Sequence, residues 1–222
     1  MKLVKIKPLA FFSLFACQVA APAAQAALVN GGFENPSSIS GYSLIDPLNV
    51  PGWKTTDTAI EIWQTGFNGV AAYQGQQFAE IDAYILGTLY QDVSGIASGS
   101  TFSFQFAHRG RSGVDTMRFT ITDLGADNVI GGGNDTELFS GLYSDGTQAW
   151  GFYTGESAAT FGNTVRFSYQ AVSSVGGSSY GNFLDAADFS VQAPTLPIPE
   201  PAILALLGIG LAGLGFSRRQ KQ

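Results

Sequence analysis

The chain has 222 residues, of which 13% are charged, and its formal net charge is −6. Between residues 27 and 197, five basic residues stand against sixteen acidic ones, a net charge of −11, which argues against nucleic acid as a partner. The only cysteine, Cys17, lies outside that stretch, so disulfide bonds and thiol catalysis are excluded within it.

Residues 1–26 have the pattern of a secretory signal peptide. Three lysines precede an apolar run from Leu9 to Ala24, and Ala24-Gln25-Ala26 is the small-x-small sequence that signal peptidase accepts. We expect cleavage after Ala26. An alternative is a lipoprotein signal with Cys17 acylated, but Phe15 is bulky for that pattern and the run stays apolar beyond it.

Residues 27–193 have the length of one domain. Short runs within them alternate between apolar and polar residues with a period of two. In Thr101–Arg109, three phenylalanines and His108 would share one face of a strand. Glycine, asparagine, aspartate and serine separate further strands, which we predict at residues 59–64, 77–83, 89–93, 117–122, 148–153, 165–170 and 187–192. The pattern predicts an all-β fold, an antiparallel β-sandwich, and leaves its strand order open.

Three short motifs resemble those of galactose-binding-like jelly-roll domains. Residues 30–34 (NGGFE) are similar to the opening strand of these domains, residues 50–53 (VPGW) to the motif that follows it, and residues 181–185 (GNFLD) to the closing strand. The resemblance implies a jelly roll. It also implies one structural calcium ion, bound by Glu34 and Asp185, since calcium prefers carboxylate oxygens. The alternative is that both are solvated acids at strand ends.

A second acidic stretch, residues 123–137, carries oxygen donors on a glycine-rich loop. Its spacing does not fit an EF-hand. We interpret it as a solvated turn.

Aromatic and arginine side chains are the candidates for ligand binding. Trp63 and Trp150, with Trp53 and Tyr73, offer flat faces on which a pyranose ring can stack, although most aromatic residues of a small sandwich belong to its core. Arg109 and Arg111 can bind the carboxylate of an acidic sugar through bidentate hydrogen bonds.

The same polar segment also has a structural interpretation. His108 can be a hydrogen-bonded core residue, and an arginine can pair with Asp115 or Glu80.

For catalysis, the sequence offers only a pair of carboxylates. Glu80 and Asp82 would share one face of a strand, about 6.6 Å apart along the backbone, a spacing open to glycosidase acids. With one histidine and no hydrolase motif, we predict a non-enzymatic protein, and a glycoside-active enzyme using Glu80 or Asp82 is the alternative.

The C-terminal segment has the order of a sorting signal. A Pro-rich spacer (194–201) precedes an apolar segment (202–217) and a basic tail (218–222). Fifteen uncharged residues would make a helix about 22 Å long, a short transmembrane helix whose basic tail stays cytoplasmic and whose domain faces the periplasm.

Pro199-Glu200-Pro201 followed by an apolar stretch, Arg218 and Arg219 resembles the PEP-CTERM sorting signal. The resemblance implies recognition by exosortase at the inner membrane, with Glu200 as a recognition residue. After processing, the domain would be released or re-anchored at the cell surface. An ordinary tail anchor is the alternative.

The terminal segments predict an exported protein, and the two resemblances imply that it binds carbohydrate, with the exopolysaccharide or biofilm matrix as its surroundings. A purely structural matrix protein without a ligand site is a further alternative.

Overall fold

The computed structural model describes residues 27–37, 39–162 and 164–194, and within them eleven strands form two antiparallel sheets. The six-stranded sheet has the order β1-β3-β4-β11-β6-β9, and the five-stranded sheet has the order β2-β5-β10-β7-β8. The predicted all-β sandwich is confirmed. In chain order the strands are β1 (Tyr42–Ile45), β2 (Lys54–Thr55), β3 (Ile60–Gln64), β4 (Gln77–Glu80), β5 (Thr88–Ser94), β6 (Thr101–Arg109), β7 (Asp115–Asp123), β8 (Thr136–Asp145), β9 (Gly151–Glu156), β10 (Thr164–Ser173) and β11 (Phe183–Gln192).

The core lies between the sheets because apolar side chains alternate along each strand. Phe106 of β6 meets Phe119 of β7 at 5.0 Å between ring centroids, and Phe102 meets Phe167 of β10 at 5.4 Å. Each such ring, fully buried, contributes roughly 1.5–3 kcal/mol. His108 continues this inward row as a buried residue that hydrogen-bonds to Asp145 and Asn182.

The segment predicted to be an opening strand is a turn instead. Asn30 and Phe33 have φ values of 57°, which no strand accommodates. The Gly31 carbonyl accepts a hydrogen bond from Ala187 N–H (3.0 Å), and a Cβ at Gly31 would lie 1.7 Å from the Ala187 carbonyl oxygen. Glycine therefore allows this turn to lie directly on β11.

Strands β1, β2 and β8 were not predicted, and several predicted boundaries differ from the structure. Strand β11 starts at Phe183, four residues before the predicted start. Strand β4 ends at Glu80, so Asp82 lies beyond it and the prediction that both carboxylates share a strand face is wrong. Strand β8 starts at Thr136, inside the acidic stretch interpreted as a turn; it lies at the sheet edge, and a bulge opposite Ile121 and Thr122 disrupts its alternation. Strand β9 starts at Gly151, three residues after the prediction, because Gln148–Trp150 belong to the preceding turn.

The predicted signal peptide, the PEP motif, the apolar segment 202–217 and the basic tail lie outside the described residues. Among the residues that the structure does describe, we find no helix that is both long and apolar enough to cross a membrane.

Candidate functional site

The outer face of the five-stranded sheet carries an open groove of about 410 Å³, here called the five-strand groove. Its lining is rich in hydroxyl groups and includes one aromatic ring and one guanidinium group. The lining residues are Thr56, Thr88, Tyr90, Thr120, Thr122, Ile130, Arg166, Ser168 and Gln170.

The strand register brings these side chains together. Tyr90 of β5 lies opposite Ser168 of β10, which lies opposite Thr120 of β7, and Lys54 of β2 extends the same row beyond Tyr90. Neighbouring strands are about 4.8 Å apart, so this row across four strands spans roughly 14 Å. That length accommodates an extended ligand lying across the strands.

An ion pair fixes the polar end of this groove. Arg166 donates two hydrogen bonds to Asp92 (2.6 and 3.0 Å), and Lys54 donates a third (3.0 Å). Burial acts to raise the pKa of Asp92, but the hydrogen bonds and charges of Arg166 and Lys54 outweigh it and hold that pKa below its ordinary value. The Arg166 guanidinium carbon lies 4.0 Å from the Tyr90 ring centroid, so ring and cation are ordered together.

This face also concentrates the positive charge of an acidic domain. Lys54, Arg118 and Arg166 are three of the five basic residues between positions 27 and 197, and Arg118 lies opposite Gln170 on the outer face. Among the described residues that line the groove, none is acidic. Neutral and acidic ligands therefore suit this surface electrostatically.

The sequence-predicted ligand residues gather on the other sheet, where several are buried. Trp63 is 1% exposed and donates its Nε1 hydrogen to Glu61 (2.9 Å). Glu80 is 0% exposed and accepts two hydrogen bonds from Arg111, both of 2.9 Å. The alternative pairing of Arg111 with Glu80 is therefore confirmed.

Glu61 and Glu80 lie directly opposite each other on β3 and β4. Burial, and after it the charge of Glu61, raises the pKa of Glu80 to about 9, although Arg111 acts in the opposite direction. Burial likewise raises the pKa of Glu61. One shared proton on this pair, together with the Arg111 cation, gives a neutral buried group.

The Arg111 guanidinium is sandwiched between two aromatic rings. Its carbon lies 4.6 Å from the Trp63 centroid and 3.5 Å from the Tyr180 centroid. This packing covers Trp63 and Glu80, so contact with a ligand would require Arg111 or its neighbours to move. Their ligand-binding role stays a prediction.

The remaining predicted ligand residues differ in accessibility. Asp82 is buried and accepts hydrogen bonds from Ser174 and Asn182; burial raises its pKa to about 7. Arg109 donates to the Thr147 carbonyl, and burial lowers its pKa. Trp150 is half-buried, with its Nε1 hydrogen donated to the Ala71 carbonyl (2.9 Å). Trp150 also contacts the exposed ring of Tyr73, at 6.4 Å between ring centroids.

The two predicted calcium ligands lie beside Gly32. A Cβ built on Gly32 would be 3.8 Å from Asp185 Oδ1 and 3.9 Å from Glu34 Cγ. Burial raises the pKa of Asp185 to about 7. Backbone hydrogen bonds act in the opposite direction, and the charge of Glu34 adds to the rise. The described residues contain no group of three or more His, Cys, Asp or Glu side chains arranged for a metal. Two carboxylates would therefore need backbone or water oxygens to complete a calcium site.

Sequence reasoning missed Tyr90 and Arg166 as a site. Their strands were predicted, and both residues occupy the outward positions of those strands. Their contact depends on the pairing of β5 with β10. Asp92 and Arg166, which form the ion pair between these two strands, are 74 positions apart in the sequence.

Residues 197–219 match the PEP-CTERM protein-sorting motif. No curated protein matches the sequence. The CBM22-1 xylan-binding domain of Paenibacillus barcinonensis Xyn10C superimposes with a TM-score of 0.50 at 12% identity, covering 80% of this chain and 100% of that one.

Two further structures are more distant. The tandem CBM22-1–CBM22-2 domain of the same Xyn10C gives a TM-score of 0.49 at 13% identity, covering 82% of this chain and 50% of that one. TmCBM61 in complex with β-1,4-galactotriose gives 0.40 at 17% identity, with 74% and 95% coverage. The similarity to CBM22-1 shows that this domain has the jelly-roll fold of carbohydrate-binding modules.

Proposed function

We propose that this protein is an exported, non-enzymatic carbohydrate-binding protein whose ligand lies across the five-strand groove. The observation that carries the proposal is the row from Lys54 through Tyr90 to Thr120, in which Arg166 is held against the Tyr90 ring by Asp92. An aromatic ring beside fixed hydrogen-bonding groups suits a pyranose, which has apolar faces and a rim of hydroxyl groups. Because the ion pair forms without ligand, little side-chain entropy is lost on binding.

The lining favours neutral glycans and glycans that carry carboxylates. Hydroxyl and amide groups can hydrogen-bond to sugar hydroxyls, and Arg166 can bind a carboxylate at the end of the groove. Xylan is the first neutral probe, because the structural neighbour CBM22-1 is a xylan-binding domain.

The terminal segments support the proposed export and sorting. The motif at residues 197–219 supports recognition by exosortase, with Pro199, Glu200 and Pro201 read by that enzyme and Arg218 and Arg219 on the cytoplasmic side. The segment 202–217 would hold the protein in the inner membrane after signal peptidase has removed residues 1–26. The processed protein would then serve in an exopolysaccharide or biofilm matrix at or beyond the cell surface.

One calcium ion at Glu34 and Asp185 is part of the proposal. The donor chemistry fits, since both groups are carboxylates and a cation would offset the cost of keeping charge on the buried Asp185. Calcium would tie the turn at residues 29–34 to β11 and stabilise the domain.

The non-enzymatic assignment is supported by the state of the candidate carboxylates. Glu80 is bound by Arg111, and Asp82 is bound by Ser174 and Asn182; both are buried. A catalytic acid must reach the glycosidic oxygen, which neither carboxyl group does in this arrangement.

A glycan array that includes xylan and polygalacturonate tests the proposal, with binding measured for the wild type, Tyr90→Ala and Arg166→Ala. We expect each variant to bind roughly tenfold more weakly. Tyr84→Ala is the matched control, since Tyr84 is exposed on a loop outside the groove. Unchanged binding in both groove variants would refute the assigned site, and no binding by the wild type would favour a structural matrix protein. Hydrolysis of a bound glycan that Glu80→Gln abolishes would favour the enzyme.

A further inference from the structure

The outer face of the six-stranded sheet carries a second groove, of about 360 Å³, here called the six-strand groove. Its polar side chains come from three neighbouring strands in register: Gln105 of β6 lies between Thr154 of β9 and Asp188 of β11. One step along, Ser103 lies between Glu156 and Ser190. The strands thus present two rows of outward hydrogen-bonding groups.

An exposed aromatic cluster continues this groove along β9. Phe152 lies two residues before Thr154 on the same face and is 45% exposed, and Tyr73 is 43% exposed. Their rings stack at 5.2 Å with 6° between the planes. Trp150 lies 6.4 Å from Tyr73 and is fixed by its hydrogen bond to the Ala71 carbonyl.

This combination indicates a ligand that is apolar on one side and polar on the other. Exposed parallel rings leave apolar surface in water, which is costly unless something covers it. The adjoining rows of amide, hydroxyl and carboxylate groups would pair with the polar edge of the same ligand. Pyranose rings have this character, whereas an apolar peptide segment would leave Gln105 and Asp188 without partners.

The charge of this groove differs from that of the five-strand groove. Glu156 and Asp188 are acidic, and no basic side chain lines it among the described residues. Neutral sugars and amino sugars are therefore favoured, and uronic acids would be repelled.

We propose that the six-strand groove with Tyr73, Trp150 and Phe152 is a second glycan-binding surface. The two surfaces lie on opposite outer faces of the sandwich, so one domain binds two glycan chains and cross-links them. The second surface extends the proposed function, although its geometry does not depend on the first groove.

The test is isothermal titration of the full-length protein in detergent with xylohexaose and with a glucosamine hexamer. We expect two sites per chain for a probe that both grooves accept. We expect the glucosamine hexamer to prefer the six-strand groove. Phe152→Ala combined with Tyr73→Ala should remove one site or weaken it roughly tenfold, whereas Phe152→Tyr, which keeps the ring, should bind as the wild type does.

Tyr90→Ala separates the two proposals. If it leaves a site that Phe152→Ala and Tyr73→Ala then remove, both surfaces are supported; if it changes nothing while the aromatic variant abolishes binding, only the second surface survives. Loss of all binding in Tyr90→Ala, or unchanged binding in the folded double variant, overturns the second surface. Thermal melting shows whether each variant is folded.

Discussion

The substitution Glu61→Gln tests the buried carboxyl pair. A glutamine at this position can accept the Trp63 Nε1 hydrogen bond through its oxygen and donate its amide hydrogen to Glu80. Arg111 keeps both of its bonds to Glu80. The variant therefore resembles the pair in its singly protonated form but has no shared proton to lose.

The magnitude follows from the raised pKa. The folded state retains a proton on the pair up to about pH 9, the pKa reached by Glu80, while the unfolded chain releases it near the ordinary value of 4.5. Between these limits the folded state binds more protons, so stability is fully present below about pH 4.5 and falls as pH rises towards 9. The full shift sets an upper limit of ~6 kcal/mol. We expect about 2 kcal/mol, because Arg111 and relaxation of the site compensate part of the second charge.

The assay is thermal unfolding of wild type and Glu61→Gln from pH 5 to pH 9. For a domain of this size, about 2 kcal/mol raises the Tm of the variant above that of the wild type by roughly 4–8 °C at pH 9, with equal values near pH 5. The titrations of Asp82 and Asp185 affect both proteins, so the difference between the curves isolates the pair. Glu137→Gln, at an exposed position of β8, is the control and should follow the wild type. Parallel curves for the wild type and Glu61→Gln would refute the shared proton.

Three further predictions concern the frame of the domain. Calcium at 100 times its Kd should stabilise the wild type by about 2.7 kcal/mol but leave the Tm of Asp185→Asn unchanged; an equal rise in both would contradict the proposed site. Gly31→Ala should lower the free energy of unfolding, measured with denaturant, by about 3 kcal/mol or more, because its Cβ would lie 1.7 Å from the Ala187 carbonyl oxygen. Gly146→Ala, whose Cβ would have its nearest contact at 3.9 Å, should change the stability little. Asp123→Asn should lower the free energy of unfolding by about 3 kcal/mol at pH 7. Hydrogen bonds from Thr160 and three backbone N–H groups outweigh the effect of burial and hold the pKa of Asp123 below its ordinary value. The difference in stability should therefore shrink as pH falls below 4, and a difference that stays constant would refute this cause.

The strands could be predicted because burial imposes a period of two residues. Phe102, Phe104 and Phe106 alternate with polar residues, and all three face the core. Strand β8 was missed because an edge strand need not bury one whole face: Leu142 is exposed and pairs outward with Arg118. Local sequence patterns likewise could not predict which strands pair, since pairing depends on contacts between segments that are far apart in the sequence.

The same limit explains what was missed at the site. The sequence offered the pairing of Arg111 with Glu80 as one of several arginine–carboxylate pairs, since local patterns do not show which of these side chains lie close together in the fold. The alternation of side chains could not show that Arg111 and Phe67 cover the indole of Trp63. The sequence around Tyr90 does not indicate a binding residue, because only the register of β5 with β10 brings Arg166 onto the Tyr90 ring.

The most direct test of the account is a crystal structure of the protein with the oligosaccharide that it binds most tightly. We predict that the sugar chain runs across the five-stranded sheet, with one ring against Tyr90 and a polar contact to Arg166. A bound oligosaccharide that touches neither residue would contradict the central claim.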